Sequence, residues 1–128
     1  MNQIYFLTFD EIPRLHDYSI EEFGGVKGIR DSGLLESAAA QPQMIVFGQH
    51  VHEDIYHMAA AYCFHIIKNH AFIDGNKRIG LLVALTFLEK NNVTIEADFD
   101  SLYDLAMSVA CSELNKEQVA EFFKQAGR

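Results

Sequence analysis

Nine consecutive residues concentrate the groups of this chain that could do chemistry. The segment His70–Arg78 has the sequence HAFIDGNKR, with an imidazole, a carboxylate, an amide and two cations between two strongly apolar stretches. Asp74-Gly75-Asn76 is typical of a turn. We therefore predict that His70 ends one helix and that Lys77 and Arg78 lie in the first turn of the next.

Two adjacent cations at a helix N-terminus are unfavourable unless an anion binds there. The terminus carries a partial positive charge and N–H groups without partners, so each cation costs roughly 0.3 to 1 kcal/mol. Gly75 would let the backbone approach an anion, and the amides of Asn76 and its successors would point at it. Lys77 and Arg78 would neutralise the rest. This arrangement favours a ligand with several phosphates.

Asp74 and His70 complete the predicted site. Beside phosphates the Asp74 carboxylate would be repelled, unless a hard cation such as Mg²⁺ bridges the two through oxygen ligands. A nucleotide with Mg²⁺ is therefore expected. A histidine titrates near neutral pH, so His70 could accept the proton of an incoming hydroxyl, as the base of a phosphoryl transfer does. Phe72 is predicted to point away and hold the segment in the core.

Taken singly, each of these residues also has an ordinary structural interpretation. His70 would then only close a helix, Asp74-Gly75-Asn76 would be only a turn, and the two cations would be solvated surface charges. The functional interpretation depends on all of them occurring together in nine residues.

The segments around this site are predicted to be helices, and the fold class all-α. Apolar periodicity predicts helices over about 9–23, 34–39, 53–69, 78–90 and 98–109, and a last one that Asn115 and Gln118 cap. Thr8 and Glu11 are read as a capping box for the first helix, which Gly24-Gly25 ends. Residues 41–52 are read as a loop or hairpin, and 93–95 as briefly extended. There is no internal repeat and no βαβ alternation.

Length and composition bound the class of protein. The chain has 128 residues, 49% of them hydrophobic, so we expect residues 1–128 to form a single domain. The net charge of -8 disfavours nucleic-acid binding by the chain itself. We expect no signal peptide, no membrane span and a cytoplasmic location. Cys63 and Cys111 lie in apolar segments and are expected to be buried, reduced thiols.

Three further motifs carry weaker signals. His52 and His57 stand five residues apart, about 140° round a helix, whereas the zinc-protease motif needs one helical turn. His50 and His52 could chelate a metal from a strand, but solvated loop histidines are commoner. The glycines of 24–28 lack the strand and the Lys-Ser/Thr ending of a P-loop, which favours a turn.

The pattern H-x-F-x-D-G-N-K-R at His70–Arg78 resembles the signature loop of the Fic/Doc family, and specifically of its Doc (death-on-curing) branch. Residues 25–38, GVKGIRDSGLLESA, resemble the Doc segment ahead of the flap, and residues 87–91, FLEKN, the end of its buried helix. The resemblance covers nearly all of the chain. It implies a Fic/Doc-like helical bundle with a short flap hairpin or loop before the central helix. Residues 43–48 match that flap, where a target segment could add as a strand; an ordinary connecting loop is equally open.

The resemblance also implies an activity. In Fic enzymes that transfer AMP, Gly follows the motif Asn and a second Arg follows the first; here those positions hold Lys77 and Leu81. The Doc branch shares this departure. It implies that ATP is held the other way round, so that its γ-phosphoryl group meets a target hydroxyl and the chain is a protein Ser/Thr kinase. The roles implied are general base for His70, Mg²⁺ ligand for Asp74, and phosphate binding for Gly75, Asn76, Lys77 and Arg78.

Doc proteins further imply a biological setting. The resemblance implies that the chain is the toxin of a bacterial toxin–antitoxin system. The implied target is a Thr of elongation factor Tu, whose modification arrests translation. The implied inhibitor is a Phd-like antitoxin that binds in trans. The inhibitory helix of some Fic proteins has no match here; 32–36 comes nearest but is followed by Ser37. Two alternatives stay open: a Fic-type AMP transferase, and a non-catalytic module that binds antitoxin or nucleotide.

Overall fold

The computed structural model describes residues 3–128, and within that range six α-helices form a bundle with one small hairpin. The helices are α1 (Glu11–Phe23), α2 (Ser32–Ala40), α3 (Ile55–Asn69), α4 (Asn76–Lys90), α5 (Phe99–Ala110) and α6 (Lys116–Ala126). A 3₁₀ turn (Gln41–Gln43) and the strands β1 (Ile45–Val46) and β2 (Gln49–His50) lie between α2 and α3. The predicted all-α class is confirmed.

Helix α3 is the centre of the bundle. It contacts α2, α4, α5 and α6, and its stretch 59–63 is completely buried. The absence of a side chain at Gly80 lets α4 approach α3 closely. A Cβ on Gly80 would lie 2.7 Å from Cγ1 of Ile67 and 3.1 Å from the carbonyl oxygen of Cys63. Helix α4 therefore packs closely against α3, the predicted central helix.

The start of α1 differs from the prediction. The helix begins at Glu11, not at residue 9, and Asp10 takes the N-cap position without a side-chain cap bond. Only half of the predicted capping box forms: Oε1 of Glu11 accepts the N–H of Thr8 at 2.9 Å. The backbone N–H of Glu11 donates to the Thr8 carbonyl at 3.1 Å, so residues 8–11 make a turn before the helix.

The loop or hairpin predicted before the central helix is a hairpin. Its strands are antiparallel, with Ile45 opposite His50 and Val46 opposite Gln49. Phe47 and Gly48 form the turn with φ of 52° and 76°, the positive angles that a two-residue hairpin turn needs. The Phe47 side chain is fully exposed.

The two cysteines behave differently from each other. Cys63 is buried, and burial raises the pKa of its thiol to about 12, so it is an inert core residue. Cys111 is exposed, so the expectation that it is buried was wrong. It caps the C-terminus of α5, beyond the helix face that reaches the core. No helix between residues 3 and 128 is both long and apolar enough to cross a membrane.

Candidate active site

The signature loop joins α3 to α4, and both of its ends have left-handed backbone. His70 caps the C-terminus of α3 with φ 51° and ψ 48°, and Gly75 is the N-cap of α4 with φ 73° and ψ 24°. Lys77 and Arg78 therefore lie in the first turn of α4. These placements confirm the predicted helix ends.

Asp74 uses both carboxylate oxygens to fasten the loop. Oδ2 accepts the N–H of Val26 at 3.0 Å, and Oδ1 accepts the N–H of Gly75 at 2.8 Å. These two backbone bonds hold the pKa of Asp74 below its usual value, so the exposed side chain is anionic at neutral pH. Each oxygen keeps a lone pair for a cation. Gly25 is needed beside it, because a Cβ there would lie 2.7 Å from Oδ2.

The Asn76 side chain holds the loop together from within. Its Oδ1 accepts the N–H of Phe72 at 3.0 Å, and its Nδ2 donates to the Phe72 carbonyl at 2.9 Å. Both polar atoms of the amide are thereby occupied, and the side chain is buried. What Asn76 offers a ligand is its backbone N–H in the first turn of α4, which has no acceptor within the helix.

Phe72 is buried in the core, as predicted, and it packs against a histidine that the sequence analysis did not single out. The ring of His16, on α1, stacks on Phe72 with centroids 3.9 Å apart. Nε2 of His16 hydrogen-bonds the carbonyl oxygen of Asp74 at 2.7 Å, which requires the proton on that nitrogen. His16 therefore supports the turn that carries Asp74.

The two cations of α4 have different surroundings. Lys77 is exposed at the mouth of the cleft. Arg78 is held by α1 and the residues after it: Nε donates to Oγ of Ser19 and Nη2 to the carbonyl of Gly24, both at 2.7 Å. Its guanidinium lies 5.8 Å from the Phe23 ring centre. Since a guanidinium has five N–H donors, three remain for an anion.

All six predicted site residues border one cleft of about 850 Å³. They are His70, Asp74, Gly75, Asn76, Lys77 and Arg78. The rest of the wall is mostly apolar and comes mainly from α1, α3, α4 and α5; it includes Phe23, Lys68, Leu81, Leu82, Phe99, Leu102 and Tyr103. A charged floor beside an apolar wall of this size suits a nucleotide. An ionised carboxylate beside it suits Mg²⁺, which takes one or two carboxylates together with phosphate oxygens.

Sequence reasoning missed the residues that hold the loop from outside. They are His16 and Ser19 on α1, and Val26 and Arg30 in the segment after it. One signal was present: His16 and Ser19 share the buried face of α1 with Ile12 and Ile20, where polar residues are unusual.

The two histidines considered as a chelate, His50 and His52, differ in exposure. His50 is exposed, and both ring nitrogens of the buried His52 lack a hydrogen-bond partner among the described residues. His57 lies against carboxylates of Asp54 at 2.8 Å, Glu117 at 3.1 Å and Glu53 at 3.5 Å. Burial acts to lower the pKa of His57, but its bonds to Asp54 and Glu117 outweigh burial and raise it. This group is held together as ion pairs.

Comparison with known proteins agrees with this architecture. The model of the Fic/DOC family matches residues 6–88, so the chain belongs to the Fic/DOC family. Its relatives are of the Doc branch. It is 40% identical over 100 residues to Toxin Doc of Mycolicibacterium smegmatis, a match that covers 77% of each chain. It is 33% identical over 118 residues to Protein kinase doc of Escherichia phage P1, covering 91% of this chain and 90% of that one. The predicted family, branch and helical fold are confirmed.

Proposed function

We propose that this chain is a Doc-type toxin that transfers the γ-phosphoryl group of Mg²⁺-bound ATP to a Ser or Thr hydroxyl of a target protein. The observation that carries the proposal is the meeting of His70, Asp74 and the N-terminus of α4 at one cleft. The name of the phage P1 relative, Protein kinase doc, supports a kinase over other transfers. The name Toxin Doc of the other relative supports the biological role.

Each site residue has a separate task in this proposal. The first-turn N–H groups of α4, with Lys77 and Arg78, bind the phosphates and offset their charge. Asp74 holds Mg²⁺, which when bound neutralises charge that develops on the phosphate oxygens. His70 accepts the hydroxyl proton while the hydroxyl oxygen bonds to the γ phosphorus and the bond to the β–γ bridging oxygen breaks.

Leu81 supports the kinase reading over AMP transfer. It lines the cleft one helical turn beyond Arg78, at the position where AMP-transferring Fic enzymes carry a second Arg. An alkyl side chain offers no hydrogen bond to a phosphate. The cations available to the triphosphate from α4 are therefore concentrated at its first turn, near His70.

Exposed apolar side chains beside the cleft support partners of the proposed kind. Phe23 of α1 is 69% exposed and Phe99 of α5 is 77% exposed, and both line the cleft. We propose that a Phd-like antitoxin in trans covers this face. The hairpin exposes Ile45 and Phe47 and provides strand edges to which a target segment could add. By the family resemblance that target is elongation factor Tu, and its modification would stop translation in the cytoplasm.

The test uses the purified chain with elongation factor Tu, Mg²⁺ and ATP labelled at either the α or the γ phosphate. We expect protein-bound label from the γ position only, on Ser or Thr. We expect none with H70A and at least a tenfold lower rate with D74N, because base and cation ligand are removed. D17N is the matched control, since Asp17 is exposed on α1 and does not border the cleft.

The other outcomes assign other functions. Label from the α phosphate would replace kinase activity with AMP transfer. No transfer of either label, together with growth arrest by H70A and D74N as strong as that by the parent chain, would show a non-catalytic binding module.

A further inference from the structure

We propose that Arg30 is a positioning residue for His70. Its guanidinium donates hydrogen bonds to the carbonyls at the end of α3 and so fixes the direction of the imidazole. Nε of Arg30 donates to the His70 carbonyl at 2.7 Å, and Nη2 donates to the Asn69 carbonyl at 3.1 Å. The inference rests on the proposed function, because it explains how the proposed base is held.

His70 needs such a restraint because its backbone is left-handed. That conformation is unfavourable for a residue with a Cβ, and it persists only where the surroundings impose it. The hydrogen bond that caps α3 is a long one, 3.3 Å from the His70 N–H to the Ile67 carbonyl. The last carbonyls of a helix have no intrahelical donor. Arg30 supplies two charged donors to those groups, at the helix end where a cation is favoured.

The segment that carries Arg30 is itself fixed along the loop. The N–H groups of Arg30 and Asp31 both donate to the Ala71 carbonyl, at 2.7 and 3.0 Å. The N–H of Ile73 donates to the Gly28 carbonyl at 3.0 Å, and Ile29 forms a β-bridge with Phe72. Residues 28–31 are thereby paired with residues 71–73. The Arg30 side chain starts from a backbone whose position relative to His70 is set.

A second set of bonds ties the same point to α2. The Asp31 side chain caps α2 by accepting the Leu34 N–H at 2.9 Å. Nδ2 of Asn69 donates to the Leu34 carbonyl, also at 2.9 Å. The end of α3 and the start of α2 therefore hold each other, with Arg30 between them. The proposed base His70 is therefore positioned by both α3 and α2 and does not lie on a free loop.

Arg30 does not border the nucleotide cleft. Its side-chain hydrogen bonds go to backbone carbonyls, so its removal acts on the geometry of His70 and not on the phosphate contacts. An error of about 1 Å in the position of a reacting group can cost on the order of a hundredfold in rate. A loss of rate without a loss of ATP affinity is the expected signature of a positioning role.

The experiment compares R30Q and R30K with the parent, and uses K27Q as control. Lys27 lies in the same segment and carries the same charge, but its side chain forms an ion pair with Glu21 of α1 instead of bonds to the end of α3. We expect R30Q to lower kcat about 10- to 100-fold with KM for ATP within about twofold. R30K keeps a cation that reaches fewer carbonyls and should fall between. K27Q should match the parent.

A readout independent of transfer separates this inference from the proposed function. NMR spectra of histidine-labelled protein are recorded for each variant, and shifted His70 ring signals are expected in R30Q and R30K but not in K27Q. Unchanged His70 signals in a folded R30Q or R30K would overturn the positioning role, whether or not the parent transfers phosphate. A raised KM for ATP at unchanged kcat would overturn it too, by making Arg30 a nucleotide contact.

Discussion

The left-handed turn at Gly75 shows how much of the site depends on a missing side chain. With φ of 73° the residue directs the chain from Asp74 into α4. An ideal Cβ there would lie 3.2 Å from Nη2 of Arg78 and 3.4 Å from Cδ1 of Ile20. A side chain at position 75 would therefore both strain the backbone and contact the Arg78 guanidinium.

We predict that G75A lowers the free energy of unfolding by about 1 to 2 kcal/mol and reduces transfer activity, since alanine strains the positive φ and displaces Arg78. Urea denaturation measures the first effect. Gly33 is the matched control, because it lies in the first turn of α2, has no positive φ, and has its closest Cβ contact at 3.4 Å. G33A should be neutral or slightly stabilising. If G75A were as stable as G33A, the inference that a side chain at position 75 strains the backbone would be wrong.

Helix α1 serves as the support of the site although it supplies none of the predicted catalytic groups. It packs on α4, and its buried polar residues His16 and Ser19 contact Asp74 and Arg78. The cleft therefore depends on how α1 sits against the loop, and this docking is a tertiary contact between distant parts of the chain.

We predict that H16F destabilises the chain by about 1 to 3 kcal/mol, because the Asp74 carbonyl loses a buried donor. Phenylalanine is chosen because it can still stack on Phe72. The same variant should weaken the proposed Mg²⁺-dependent transfer, because Asp74 would be displaced. Chemical denaturation and a magnesium titration of activity check the two effects. An equally stable H16F would show that the carbonyl needs no partner; D17N, one residue along and exposed, is the control.

The molecule as a whole carries a net charge of -8, and its histidines are placed in opposite electrostatic settings. His57 sits among carboxylates at the start of α3, where its charged form is favoured. His65, two turns later, accepts a hydrogen bond at Nε2 from Lys116 of α6 at 3.1 Å, so its neutral form is favoured. Both contacts join α3 to α6, but they respond to pH in opposite directions.

We predict that acid weakens the chain through His65. Burial, with Lys116 and His52 adding to it, lowers the pKa of His65 to about 4, whereas an unfolded histidine has a pKa near 6.5. The unfolded state then binds the proton first, so stability falls as pH decreases from about 6.5 to about 4, by up to about 1.4 kcal/mol per pH unit. Urea midpoints over this range measure the loss. In H65Q the slope should shrink; an unchanged slope would assign the loss to other groups.

We predict the opposite sign for His57. Its pKa is raised in the folded chain, so its contribution is fully present below about pH 6.5 and disappears as pH rises through the folded pKa. H57Q should lower stability near pH 6 and remove the fall in stability that the parent shows as pH rises. The same urea midpoints measure both effects. If H57Q and the parent kept the same pH dependence above 6.5, the carboxylates around His57 would not be stabilising its charge.

Local signals in the sequence were enough to predict the helices and both ends of the signature loop, but they left a loop and a hairpin equally open before the central helix. Caps, turns and apolar periodicity act over a few residues, which is why the helix end at His70 and the cations in the first turn of α4 could be predicted. The start of α1 was misplaced because Thr8 and Glu11 form a turn instead of a full cap. The prediction that Cys111 is buried was wrong, because helix periodicity does not show where a helix leaves the core.

Contacts between distant residues settled the rest. His16 lies 58 residues from Asp74, and Arg30 lies 40 residues from His70. No spacing rule links such pairs, because their approach depends on how α1 and the segment after it dock on α3 and α4. The kinds of chemical groups and their order in the loop were thus readable from the chain. Their directions, the occupied side chain of Asn76 and the cleft itself came from packing, since a side chain's orientation is set by what surrounds it in space.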